Sequence, residues 1–171
     1  RVPPNTAQLL RIGSIEKSSM LLDAADAHAA GTPNDEAVRA ILETGALEEA
    51  IETCVDSATK EFDIPSQKRL LGAASYGMHF HYKSNGKLIG GPVTGSDNAL
   101  PSKTTHKFVH AARKLRILNA LRNPSVGFIL TSAQFDNLGA TGVVARLVLL
   151  QRPALAAKIA EYFDLPKNVV M

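Results

Sequence analysis

The sequence contains no tryptophan, and only 5% of its 171 residues are aromatic. Sheets draw heavily on aromatic and β-branched residues, so this shortage, with almost no period-two alternation, argues against a β architecture. The single cysteine, Cys54, excludes an internal disulfide and suits a reducing compartment, which predicts a cytoplasmic protein. No apolar run approaches the length of a membrane span, and no basic segment followed by a hydrophobic one opens the chain. Acid is missing over a long stretch, with no Asp or Glu from Asn98 to Phe135.

Leu and Ala supply most of the apolar content, which favours helices. The formal net charge of +3 hides an asymmetry. Residues 1–63 carry 12 acids against 5 Lys and Arg, whereas residues 64–171 carry 4 against 14. Such a gradient fits a basic helical module for nucleic acid or anionic membrane. It also fits acidic helices stacked beside basic ones, with the excess solvated. No aromatic or Gly-rich RNA-binding pattern accompanies the bases, which favours the second reading.

The organising stretch is Thr105 to Leu130, a long helix, a stop at Asn123-Pro124 and a short apolar link. Phe108, Ala112, Leu115, Leu118 and Arg122 recur at helical spacing, with Lys103, Lys107, His110, Arg113 and Lys114 opposite. Ile117 and Leu121 interrupt that polar face. A helix wetted on one whole side has no use for them there, so this one is expected to be covered on two sides.

Before it, helices are expected from Thr6 to Ile12, after a cap at Ser18 or Ser19, and after Asn34 or Asp35. Gly45 marks a tight turn into a helix with Ala50, Ile51, Cys54 and Val55 inside, so the helices flanking it are expected to form an αα-hairpin. A helix from Gln67 to about Tyr82 is slim in its middle at Gly72, Ala73, Ala74, Ser75 and Gly77, which permits close approach of a neighbour. Residues 84–104, rich in Gly, Ser, Asn and Pro, are expected to be a mobile surface loop inserted between helices. Thr131-Ser132-Ala133-Gln134 is a capping-box pattern. It opens a short helix to Gly139, a second from Thr141 or Gly142, and a third with Pro153 as its first residue. The frames Ala46–Ile51 and Ala154–Ile159 resemble each other. With short turns and doubly covered helices, they predict an all-α irregular solenoid of antiparallel helical hairpins.

Candidate chemistry is sparse. Glu48, Glu49, Glu52 and Asp56 have the spacing of one helix face and read as solvated rather than as an acid–base pair. Asp26 and His28 read as surface residues. Cys54 lies on an apolar stripe with no nearby His, so it reads as packing. His79, His81, His106 and His110 lack metal-ligand spacing, and the Gly-Gly and Gly-Ser steps lack the context of a phosphate loop. No enzyme, metal or cofactor is expected.

Several blocks, read in order, resemble one family. They are LLGAASYG at Leu70–Gly77, LRILNALR at Leu115–Arg122, VGFILTSAQF at Val126–Phe135 and ARLVLLQRPALAAKIAEYFDLP at Ala145–Pro166; ETGALEEAIETC at Glu43–Cys54 fits more loosely. Together they resemble the start of the helical C-terminal region of the vacuolar protein sorting-associated protein 16 family. The insert 84–104 departs from that pattern. The resemblance implies a β-propeller upstream, with residues 1–171 as the first part of an α-solenoid in a longer chain, as the opening Arg1 also suggests. It implies a non-enzymatic core subunit of the class C tethering complexes HOPS and CORVET, peripheral on late endosome and vacuole or lysosome membranes. The implied partners are the SM-family vacuolar protein sorting-associated protein 33, other class C subunits and, indirectly, SNAREs and Rab GTPases; no nucleic acid is expected. The residues singled out for partner contact are Arg113, Lys114, Arg116 and Arg122, a basic cluster beside Ile117 and Leu121, because Arg pairs carboxylates at two points. The competing reading has Ile117 and Leu121 packed inside and the bases solvated.

Overall fold

The computed structural model describes residues 4–11, 14–32, 35–84 and 103–166. Among them the elements are all helical: α1 (Pro4–Leu9), α2 (Lys17–Ala29), α3 (Asp35–Glu43), α4 (Leu47–Lys60), α5 (Ile64–Ser84), α6 (Lys103–Leu121), α7 (Ser132–Leu149) and α8 (Pro153–Tyr162). The all-α expectation is met. Most of the expected 84–104 loop lies outside the described residues, while Ser84 closes α5 and Lys103-Thr104 open α6. The chain divides into two compact units, residues 1–112 and 113–171, with the division inside α6.

In the first unit, α4 packs along α5, and α2 packs on both. The α4 stripe of Leu47, Ala50, Ile51, Cys54, Val55 and Ala58 is buried, as are Leu21, Leu22 and Ala24 of α2 and Leu70, Ala73 and Ala74 of α5. The expected pairing of α3 with α4 across Gly45 is replaced by packing of α3 on α2. The reason is competition: the broad apolar face of α4 is already covered by α5 and α2, leaving Val38 and Ile41 of the short α3 to bury elsewhere.

Helix ends follow local chemistry with three departures from expectation: α1 runs Pro4–Leu9 rather than from Thr6 to Ile12, and the starts of α2 and α5 differ. Ser18 and Ser19 do not cap α2; they lie inside its first turn, buried, and the Ser19 hydroxyl donates to the Leu9 carbonyl at 3.0 Å, tying α1 to α2. Helix α5 begins earlier than Gln67 because Asp63 caps it, accepting from the Ser66 backbone N–H at 2.9 Å and the Ser66 hydroxyl at 2.7 Å. Those two bonds hold the Asp63 carboxyl below its ordinary range. In the same turn, Gln67 Nε2 donates to the Glu61 carbonyl at 2.8 Å.

The second unit closes around Leu118, Leu121, Phe135, Val143, Val144, Leu147, Ile159 and their neighbours. The expected stop after α6 is present: Asn123 Oδ1 accepts from the Ser125 N–H and hydroxyl, and Gly127 follows at φ +68. Both bonds of the Thr131–Gln134 capping box form, at 2.9 and 3.2 Å. Gly139, at φ 71 and ψ 163, breaks α7 into two helical segments, as the pattern predicted. Those dihedrals are open to glycine almost alone.

Gly77 and Gly72 on α5 have opposite surroundings. A Cβ on Gly77 would stand 2.8 Å from Ile51 Cγ1 and 3.0 Å from Leu21 Cδ2, whereas one on Gly72 meets nothing within 4 Å. Gly77→Ala is therefore expected to destabilise by about 1 kcal/mol, overpacking outweighing the gain in helix propensity. Gly72→Ala should stabilise by about 0.5–1 kcal/mol. Denaturant unfolding of the two variants checks this, and like signs would refute it.

Candidate interaction surface

The acid-free stretch builds α6, and the structure shows how its bases are used. At its start, Thr104 is buried and its hydroxyl donates to Glu48 Oε1 at 2.7 Å. One turn on, Lys107 Nζ reaches Glu52 Oε2 at 3.0 Å and Asp56 Oδ2 at 3.1 Å. Glu48, Glu52 and Asp56 stand at successive i, i+4 positions on α4, so they meet Thr104 and Lys107, one turn apart, in order. These three acids remain largely open to solvent, as expected of them, but each has a partner on α6. Burial works against the Lys107 charge, but the hydrogen bonds and charges of Glu52 and Asp56 outweigh it and raise its pKa.

Two further contacts extend the theme. Asp26 and His28 lie at the surface, as expected; Arg69 Nε donates to Asp26 at 2.6 Å, and His28 stacks, tilted, on Tyr76 with ring centroids 5.0 Å apart. Acids from the first 63 residues thus pair with bases from later helices of the same unit. Part of the charge gradient is internal complementarity.

The six residues singled out for partner contact fall into distinct settings. Ile117 and Leu121 are 5% and 0% exposed and belong to the second unit's core. Leu115 and Leu118 are buried as well, so the buried positions at this end of α6 form one broad face rather than two opposite ones. Lys114 is buried, only 8% exposed, with Nζ 3.0 and 2.9 Å from the two oxygens of Asp136. Arg122 is half-buried, and its Nε and Nη2 donate to the Leu130 carbonyl at 3.2 and 3.0 Å. Burial lowers its pKa. Arg113 and Arg116 are exposed, and the Arg113 guanidinium lies 5.8 Å from the centre of the Tyr162 ring. Two bases therefore face solvent, and the other four residues are engaged inside the fold.

Other groups offer little chemistry. Cys54 is fully buried, its thiol 3.7 Å from the Ser18 carbonyl, and burial pushes its pKa up to about 12. Among the described residues no cluster of three or more His, Cys, Asp or Glu side chains could hold a metal ion. His79, His106 and His110 are exposed, and the side chain of His81 lies outside those described. No described helix is long and apolar enough to cross a membrane.

Helices with buried aliphatic stripes and charges paired across their seams define a class, an all-α packing module. Comparison with known proteins gives its family. The family model described as Vps16, N-terminal region, matches residues 1–90. Over 100% of its length the chain is 33% identical to Protein VACUOLELESS1 of Arabidopsis thaliana and 31% identical to the vacuolar protein sorting-associated protein 16 homolog of Dictyostelium discoideum. Over 89% of its length it is 33% identical to vacuolar protein sorting-associated protein 16 of Saccharomyces cerevisiae. The chain belongs to the Vps16 family. It spans 18% of the length of the first two relatives and 16% of the third.

Removing Arg122 leaves the Leu130 carbonyl without its two donors, so Arg122→Ala should cost about 2 kcal/mol in denaturant unfolding, while Arg116→Ala changes stability by less than about 0.5 kcal/mol. Equal effects would contradict these placements. Cys54, with a pKa of about 12, should react with a disulfide reagent at least about a thousandfold more slowly in the native state than in denaturant. Native labelling at the denatured rate would show that the thiol is not enclosed.

Proposed function

We propose that the chain is the first part of an irregular α-solenoid, built of antiparallel helical hairpins, in a non-enzymatic scaffold subunit of vacuolar and endosomal tethering complexes of the HOPS and CORVET kind. There it supports the SM-family subunit, vacuolar protein sorting-associated protein 33, and through it SNARE-mediated fusion and transport to the vacuole or lysosome. Other class C subunits and Rab GTPases complete the setting, on the cytoplasmic side of late endosome and vacuole membranes. The observation that carries this reading is the alignment of the whole chain with relatives named for vacuolar protein sorting and for VACUOLELESS1. It is supported by the packed pairs α4–α5 and α7–α8, each joined by three residues, which is the kind of unit that stacks in solenoids.

In this reading Arg113 and Arg116 meet carboxylates of a partner, while Lys114, Ile117, Leu121 and Arg122 fix the helix that presents them. Co-purification of the chain with the SM subunit tests it. Retention should fall only modestly with salt, and Arg113→Glu with Arg116→Glu should weaken it about tenfold without changing thermal stability. Failure to retain the SM subunit, with binding to heparin that collapses between low and moderate salt, would replace the scaffold by a polyanion-binding module.

A further inference from the structure

The corner between α7 and α8 has a composition unlike the rest of the second unit. Leu149 is 78% exposed and Leu150 is 48% exposed, and Pro153 and Ala154 beside them are exposed as well. Arg146 precedes them by one turn, Arg152 follows, and Lys158 lies on the first turns of α8; all three are exposed. No Asp or Glu occurs from residue 137 to residue 160. The corner is closed by its own bonds: the N–H of Gln151 donates to the Val148 carbonyl at 3.0 Å, and that of Arg152 to the Leu147 carbonyl at 2.9 Å. The Arg152 guanidinium also donates to the Ser125 carbonyl, which fixes the turn against the end of the α6–α7 link.

Exposed leucines at a helix end have three candidate occupants. A partner helix would grip an apolar stripe recurring along α7, but the positions one and two turns before Leu149 are Ala145 and Thr141, and those before Leu150 are Arg146 and Gly142. A second copy of the chain needs on the order of 1,000 Å² of buried surface for a stable contact, which two leucines and their small neighbours do not provide. Two exposed leucines flanked in sequence by three exposed bases, in a stretch without acid, are complementary to a bilayer with anionic headgroups.

We infer that the α7–α8 corner is a membrane-contacting tip, with Leu149 and Leu150 entering the headgroup–acyl boundary of an anionic bilayer and Arg146, Arg152 and Lys158 pairing with its headgroups. The inference goes beyond the scaffold reading and does not depend on it. Two leucines and three bases give shallow, reversible attachment, in the range of a single short lipid anchor rather than of an inserted helix. Such a contact acts as a second touchpoint for a protein held at a membrane by other means.

The test is co-sedimentation of the 171-residue chain with phosphatidylcholine vesicles, with and without phosphatidylserine. The chain should pellet with the serine-containing vesicles and much less with phosphatidylcholine alone. Leu149→Ser with Leu150→Ser should abolish pelleting, and Arg146→Gln with Lys158→Gln should lower it by about fivefold for each base removed, both with unchanged helical circular dichroism. All four side chains are exposed, so folding should survive. The inference is overturned by equal pelleting of the parent and both variants, or by equal pelleting with and without phosphatidylserine. It is also overturned by a concentration-dependent dimer that the serine pair abolishes, which would assign the corner to a second copy.

Discussion

At Gly77 the α5 backbone lies against two fully buried side chains, Ile51 of α4 and Leu21 of α2, with no room for a Cβ between them. The neighbouring contact positions on α5 are Ala73 and Ala74, both at 0% exposure. A helix this slim brings backbones close, so a core of Leu, Ile, Val and Ala fills the space at ordinary packing density. That is why the sequence manages with so few aromatic residues. In the first unit Tyr76 stacks between His28 and Phe80 at centroid distances of 5.0 and 4.9 Å. Cys54 belongs to the same economy: in a tight aliphatic core it is a small apolar side chain whose thiol proton is held by burial.

Charge follows geometry in a similar way. A surface ion pair between mobile side chains contributes little, but a base with restricted solvent and two acceptors contributes position as well as energy. Lys107 between Glu52 and Asp56, and Lys114 on both oxygens of Asp136, are of the second kind. Each fixes a helix about its own axis, which aliphatic contacts alone do less sharply. The side chains of the two lysines differ in exposure, 34% against 10%, so Lys107 is the more open to screening by salt.

Features encoded within a few residues were legible in the sequence. The Thr131–Gln134 box, the break at Gly139, Pro153 at the start of α8 and the slim middle of α5 depend on local backbone chemistry, and the structure has each of them. Features that depend on a distant partner were not legible. Lys114 lies on the polar side of the helical wheel, and only Asp136, 22 residues on, makes that side an interior. The partners of Glu48, Glu52 and Asp56 were not legible because nothing local announces Thr104 and Lys107. The pairing of α3 was misread for a related reason: a short turn at Gly45 makes two helices neighbours in sequence, but the larger apolar face decides which helices touch. Asp63 could have been found, since Asp followed three residues later by Ser, with Pro between, is a helix start.

The helix C-termini show most clearly how geometry is imposed. Helices α2, α7 and α8 all end with the same pair of backbone bonds: Gly31, Gln151 and Asp164 each donate to the carbonyl three residues back, and Thr32, Arg152 and Leu165 to the carbonyl five back. The first is a glycine at φ 80, as the motif prefers, but Gln151 and Asp164 adopt φ 58 and 51 with full side chains. A left-handed residue without glycine's freedom holds its place because the flanking contacts over-determine it. At α8 that contact is Leu165, half-buried against the second unit's core. At α7 it is the continuation into α8 after only three residues, with Arg152 tied to Ser125. Turns fixed in this manner define the direction of the next helix more tightly than a glycine linker would. A small conformational strain at each corner is a modest cost against the packing it orients.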